Sequence, residues 1–168
     1  MKKAAQGFTL TELLVVLAIV VIFVAIVLVV INPFEVMKKG RDSTRMSDLD
    51  NLQKAIIVAL SNSTDTAATL CHNSAVPCTD SSLSLGARNN DSTGWVKVDF
   101  TGQLTLSIST LPVDPINNPT YHYTYYSDGV SFELNAVLES SKQRFTMAQD
   151  GGDNNNVYEV GTDLALLH

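Results

Sequence analysis

Between Leu13 and Ile31 the chain reads LLVVLAIVVIFVAIVLVVI, nineteen residues without a charge. Nothing else in the sequence restricts the fold so strongly, because a run this long and apolar exceeds what a small core can absorb. It approaches the ~20 apolar residues that carry a helix across a bilayer. A secretory signal has a shorter apolar core of about 7 to 15 residues ending at a small-residue cleavage site, whereas this run passes straight into VVINPFEV. The segment is therefore read as a retained membrane helix rather than a discarded signal.

The chain has 168 residues, is 45% hydrophobic and carries a net charge of -6. Much of the apolar share lies between Phe8 and Ile31, so the remainder, rich in Ser, Thr, Asn and Asp, has room for one modest domain. An acidic chain is a poor match for wholesale binding to nucleic acid or anionic lipid, which draw on excess Lys and Arg. The expected partner is another protein, with no direct contact to nucleic acid. Lys2 and Lys3 precede the apolar run and Lys38, Lys39, Arg41 and Arg45 follow it, so flanking charge alone does not set orientation. Cys71 and Cys78 are close enough in sequence to bridge, which would place the later part of the chain in an oxidising compartment. Two unbridged buried thiols are the other reading.

One turn into the apolar run stands Glu12. An unpaired carboxylate in a membrane helix costs a few kcal/mol, less near the interface, so such a residue either snorkels to the headgroups or meets a partner. Its surroundings bear on the choice. Behind the short basic leader MKKAAQ, the stretch GFTLTELLVVLAI resembles the class III signal of type IV pilins and type II secretion pseudopilins, with glycine, aromatic residue, glutamate and long apolar run in that order.

The resemblance implies that a prepilin peptidase and N-methyltransferase cuts after Gly7 and methylates the new amino terminus at Phe8, making residues 1–7 a leader. Loss of Lys2 and Lys3 takes 11 basic residues to 9 against 17 acidic ones, a mature charge of -8. It also implies that Glu12 meets the terminal amine of a neighbouring subunit and sets axial register. Two groups that are each costly in an apolar bundle offset one another when paired. The chain would then be no enzyme but a structural subunit, stored as a single-pass protein of the inner (cytoplasmic) membrane with its C-terminal domain extracytoplasmic. Assembly-platform and ATPase machinery would polymerise it through its helix into a homo-oligomeric type IV pilus or type II secretion-like filament, at the cell surface or in the periplasm, with no cofactor required. The alternative is a single-pass membrane-anchored extracytoplasmic binding protein, which would tolerate loss of Glu12 and remain monomeric.

The expected fold is α+β: a long bent N-terminal helix, transmembrane over residues 8–31 and amphipathic over 32–61, packed on a small antiparallel β-sheet within residues 62–168. Pro33 and Gly40 predict a kink around INPFEVMKKG. In MSDLDNLQKAIIVAL, Met46, Leu49, Leu52, Ile56 and Leu60 recur at helical spacing. The charges Asp42, Arg45, Asp48, Asp50 and Lys54 are read as a solvated face, with inter-subunit links as the second reading. One helix from Phe8 to Ser61 would measure about 80 Å.

Beyond it, SNSTDTAATLCHNSAVPCTDSSLSLGARNNDSTG has loop composition. WVKVDF, LTLSI, YHYTYYS, VSFELNAVLE and QRFTMAQ alternate as strands, with a turn at Asp128-Gly129 between the third and fourth and a proline-stiffened crossover at TLPVDPINNP. LPVDP, the aromatic strand and YEVGTDL also resemble the pilin family. His72, His122 and His168 have no ligand spacing, and no serine sits in a nucleophile elbow, so no catalysis is expected. Asp150, Asp153, Asn155 and Asp163 supply hard oxygens of the kind calcium takes. Their spacing departs from an EF-hand loop, and an Asx-rich turn is the competing reading.

Overall fold

A computed structural model describes residues 7–102 and 108–167. The chain divides into two compact units, Met1–Met37 and Lys38–His168.

The first unit is dominated by α1, Leu10–Ile31. Its 22 residues span about 33 Å, and nearly every one is apolar. The helix ends because Pro33 cannot donate a backbone N–H and its ring disfavours helical geometry at the preceding residue. Asn32 takes up the left-handed conformation at φ 45°, which Asn tolerates better than most residues. It then caps the next helix, its carbonyl oxygen accepting from the amides of Glu35 at 3.0 Å and Val36 at 3.3 Å. Pro33 thus stands at the first helical position of α2, Pro33–Ser61, where its missing N–H costs nothing. The break is confined to this step. Gly40, expected to loosen the chain, lies within α2 without interrupting it.

From Lys38 onward the chain forms an α+β unit. After α2 come α3, Thr66–Leu70, and a four-stranded antiparallel meander of order β1-β2-β3-β4, with β1 at Cys78–Ser81, β2 at Tyr123–Ser127, β3 at Phe132–Ala136 and β4 at Tyr158–Gly161; α4, Arg144–Met147, lies between the last two strands. Cys71 and Cys78 form a disulfide that ties the end of α3 to the first residue of β1. The β2–β3 hairpin turns at Asp128-Gly129 as predicted. Asp128 Oδ1 accepts from the amides of Val130 and Ser131 at 2.8 and 2.7 Å, and Gly129 supplies a φ of 87° that other residues rarely adopt.

Leu49, Leu52, Ala55, Ile56 and Ala59 of α2 share one core with Tyr123 and Tyr125 of β2, Phe132, Leu134 and Ala136 of β3, and Val160 of β4. The stripe read from helical spacing is therefore the buried one. Met46 and Leu60 sit at its half-buried margins.

Several expectations are corrected. WVKVDF is no strand: Trp95, Val96, Val98 and Phe100 are all buried, and their stretch is held by loop partners, with Trp95 Nε1 donating to Pro112 O at 2.8 Å and the Phe100 amide to Asn90 O at 2.8 Å. QRFTMAQ forms the short helix α4, because the amides of Gln143 and Arg144 turn back onto Ser140 O; Phe145 is exposed and only Met147 packs inward. The polar stretch at Cys78–Ser81, expected as loop, is a strand, paired with β2 from Cys78↔Ser127 to Ser81↔Thr124. LTLSI lies largely outside the described residues, as do Lys2, Lys3 and His168.

Strand β3 is also buried on both faces. Glu133 and Asn135 alternate with the core-facing residues of β3 yet are buried too, because the chain after β4 passes over them: Glu133 Oε2 accepts from the amides of Leu166 at 2.8 Å and Leu167 at 3.1 Å.

Candidate functional site

The N-terminal site begins at a backbone with no structural demand for glycine. A Cβ added at Gly7 would meet nothing within 4 Å among the described residues, so packing against them gives no reason for the residue there. Phe8 follows at 85% exposure. Thr9 then caps α1 in a reciprocal arrangement: its hydroxyl accepts from the Glu12 amide at 3.2 Å, while Glu12 Oε2 accepts from the Thr9 amide at 2.9 Å and the Thr9 hydroxyl at 2.8 Å. This capping box satisfies two amides that a helix start otherwise leaves open. Its signature, a threonine three residues ahead of a glutamate, stood in the sequence, but the reading there passed over Thr9 as a participant. Both hydrogen bonds to the carboxylate fall on one oxygen. The other, Oε1, receives none from a described residue, so Glu12 is positioned by its own chain with one oxygen open to a further donor.

Above this cap the helix is apolar on every side. Seventeen large apolar side chains from Leu10 to Val30 are about half exposed or more. At roughly 1.5–3 kcal/mol for each such side chain fully buried, leaving them in water would forfeit tens of kcal/mol, more than a domain's whole stability. Leu10–Val30 is long and apolar enough to cross a membrane, and the absence of a polar face separates it from a surface helix. An environment of lipid or of like helices is what the side chains require. Phe8, Thr11, Glu12, Val15 and Val16 line one shallow concavity on this helix, which places the carboxylate beside apolar surface.

The second candidate region is a charged cluster that the sequence reading missed. Asp42 and Arg45, expected in solvent, are fully buried. Arg45 donates through Nε and Nη2 to the two oxygens of Asp114 at 2.6 and 2.9 Å, and through Nη1 to Asp42 Oδ1 at 2.7 Å and Glu139 Oε1 at 2.6 Å. Its guanidinium also lies 5.1 Å from the centre of the Tyr121 ring. Arg41 grips Glu139 with two further bonds of 2.8 and 2.6 Å. Asp42 accepts from the amides of Glu139 and Ser140, and Asp114 from those of Ile116 and Asn117. Paired and saturated in this way, ions can be buried at tolerable cost. The hydrogen bonds of Arg41, against the burial of the site, hold the Glu139 carboxyl down at about 2. Burial works against the charge on Asp114, but Arg45 and the two amides overcome it and keep that carboxyl below the usual range. With every oxygen and guanidinium committed, the cluster is a structural knot that joins α2 to the LPVDP segment and to the chain leaving β3. Of the remaining polar-face residues, Asp48 accepts from the Tyr123 hydroxyl at 2.9 Å, while Asp50 and Lys54 form an exposed pair at 3.9 Å.

The residues considered for calcium are placed as follows. Asp150 accepts from the amides of Gly152 and Glu159, and Asp163 from that of Ala165. Asp153 and Asn155 line a polar hollow with Asn154 and Asn156. Among the described residues no three His, Cys, Asp or Glu side chains are gathered to hold a metal ion. His72 bonds Ser92 Oγ at 3.0 Å, and His122 the carbonyl of Asn118 at 3.3 Å.

Residues 2–28 match the family model of the prokaryotic N-terminal methylation motif. No curated protein and no solved structure matches the chain.

Proposed function

We propose that this chain, which carries the class III signal of type IV pilins and pseudopilins, is a prepilin whose mature form polymerises through α1 into a type IV pilus or a type II secretion-like filament. The observation that supports it best is the coincidence of that motif with a helix apolar all round and headed by a carboxylate its own chain holds in place. Cleavage after Gly7 by a prepilin peptidase would leave an ammonium on Phe8, one residue before the cap. In a bundle of like helices the open oxygen of Glu12 is the acceptor such an ammonium needs, and a neighbour's amine is the donor. The pairing fixes stagger between subunits, while exchange of lipid for helix contacts supplies packing without direction.

In this reading the C-terminal unit lies outside the cytoplasmic membrane, where the Cys71–Cys78 disulfide can persist. Platform and ATPase proteins supply the work of extraction, and assembly calls for no cofactor. The intact mass and N-terminal fragmentation of the protein from its host membranes test the reading. A chain starting at Phe8 with one added methyl group is expected; a chain starting at Met1, or cut beyond the apolar run, would make it an anchored or secreted protein of another kind. Glu12→Ala should be processed normally and fail to enter filaments, and filaments rich in that variant would end the pairing argument.

A further inference from the structure

The face of β3 and β4 turned away from the α2 core holds a feature that filament assembly does not use. Glu133 is 0% exposed and Glu159 is 1% exposed. The register pairs Glu159 with Asn135 and Glu133 with Gly161, so the two glutamates lie on one face of adjacent strands. Each spends a single oxygen: Glu133 Oε2 on the Leu166 and Leu167 amides, Glu159 Oε2 on the Asn154 amide at 3.2 Å. Among the described residues the remaining oxygens, Oε1 of both, are sealed from solvent and have no hydrogen-bond partner, and the same holds for Oδ1 of Asn135, opposite Glu159 in the register. No ion pair from either glutamate to a Lys, Arg or His exists among the described residues. The cover is tight, since a Cβ added at Gly152 would run into the Glu159 carboxylate.

Two ionised carboxylates in a dry site with no counter-charge are strongly unfavourable. One proton removes both difficulties. Placed on either carboxyl, it supplies a donor for the other, since the Glu133 side chain lies within hydrogen-bonding reach of Glu159. We propose that Glu133 and Glu159 share a single proton taken from solvent, and that this proton fastens the 164–167 segment and the 150–156 loop onto the sheet. The segment hangs from Glu133 through two amides, and the loop from Glu159 through the Asn154 amide and through Asp150, which accepts from the Glu159 amide at 2.9 Å.

The charged groups acting on Glu159 are both acidic, Glu133 from β3 and Asp150 from the loop. His122, which lines a neighbouring hollow with Asn135 and Leu167, bonds the Asn118 carbonyl instead. Burial first, and then Glu133 and Asp150, push the Glu159 carboxyl up to about 7, against the Asn154 amide, which favours the charged form. A carboxyl raised from its ordinary 4.5 contributes stability that is complete below that value and lost as pH rises through the folded one. The cover should therefore loosen as pH rises from about 4.5 through about 7.

The test uses the full chain in detergent micelles after treatment with a chelator, with the side-chain carboxyl carbons of glutamate observed by NMR as pH is raised. The pair should titrate as a unit, one member ionising only near pH 7. Amide exchange at Leu166 and Leu167, corrected for its intrinsic pH dependence, should rise roughly tenfold between about pH 6 and about pH 8. In Glu159→Gln, whose amide can donate to Glu133 without titrating, that rise should vanish. The proposal fails if both carboxyls ionise in the ordinary range below about pH 5. It fails equally if added calcium shifts both carboxyl signals saturably at neutral pH and abolishes the pH dependence, since the pair would then hold a metal ion and not a proton.

Discussion

Arg45→Met removes the centre of the buried knot and leaves its three carboxylates. Asp42 keeps its bonds to the Glu139 and Ser140 amides, and Glu139 keeps Arg41. Asp114 loses most: a two-pronged guanidinium at 2.6 and 2.9 Å disappears, and two amides remain around a charge buried to 2% exposure. Stripping one partner from a buried ion pair costs about 3–5 kcal/mol, to be set against a stability of about 5–15 kcal/mol for a domain. In urea, with a slope of about 2 kcal/mol per molar, the unfolding midpoint of the full chain in micelles should fall by about 2 M. The pH dependence distinguishes this from lost packing. In the wild type Asp114 is held below its usual range, so its contribution is present at neutral pH and lost on acidification. In the variant burial remains without the cation, the carboxyl rises, and stability is gained as pH falls. The deficit should accordingly shrink by half or more between about pH 7 and about pH 4. A loss under about 1 kcal/mol, or one equal at both pH values, would refute the argument that Arg45 is there to neutralise buried charge.

The wild type has its own acid limit: a Glu139 carboxyl moved from 4.5 to about 2 contributes about 3 kcal/mol at neutral pH, which urea titrations should show disappearing from about pH 5 toward pH 2. Gly161→Ala should lower the unfolding free energy by about 2 kcal/mol or more, measured by thermal or urea melts, because the new Cβ meets the backbone of Phe132 and Glu133 rather than a side chain that can move. Thiol labelling of the native protein should find neither Cys71 nor Cys78 until a reductant is added, and replacing both by serine should cost about 2 kcal/mol through the closed loop; labelling at both without reductant would contradict the bridge.

The readable parts of the fold were those in which local chemistry and burial agree. The apolar run of α1, the Leu49, Leu52, Ile56 stripe and the Asp128-Gly129 hairpin each carry their own periodicity or turn residue, and each forms as read. Alternation misled where burial comes from several directions at once. WVKVDF and QRFTMAQ have the spacing of half-buried strands, yet among the described residues neither pairs with a named strand, WVKVDF making only the isolated bridge Asp91↔Asp99, and β3 is buried on both faces, Glu133 included. Asp42 and Arg45 were illegible for a different reason. Their partners, Asp114 and Glu139, lie far along the chain, and a charge at helical spacing looks the same whether it faces solvent or a distant carboxylate. At the N terminus the motif was fully legible, and the structure adds Thr9, which decides how Glu12 is held.

The knot has a further consequence for the time course of folding. Arg45 reaches Asp114 across 69 residues and Glu139 across 94, so synthesis must deliver both acids before the guanidinium can leave water. Until then a helix carrying Asp42 and Arg45 has no reason to desolvate the apolar stripe beside them, and closing such long loops is slow. The knot of the C-terminal unit can thus be completed only once Glu139 has been made, and an unfinished chain is kept polar by the same residues that lock the finished one.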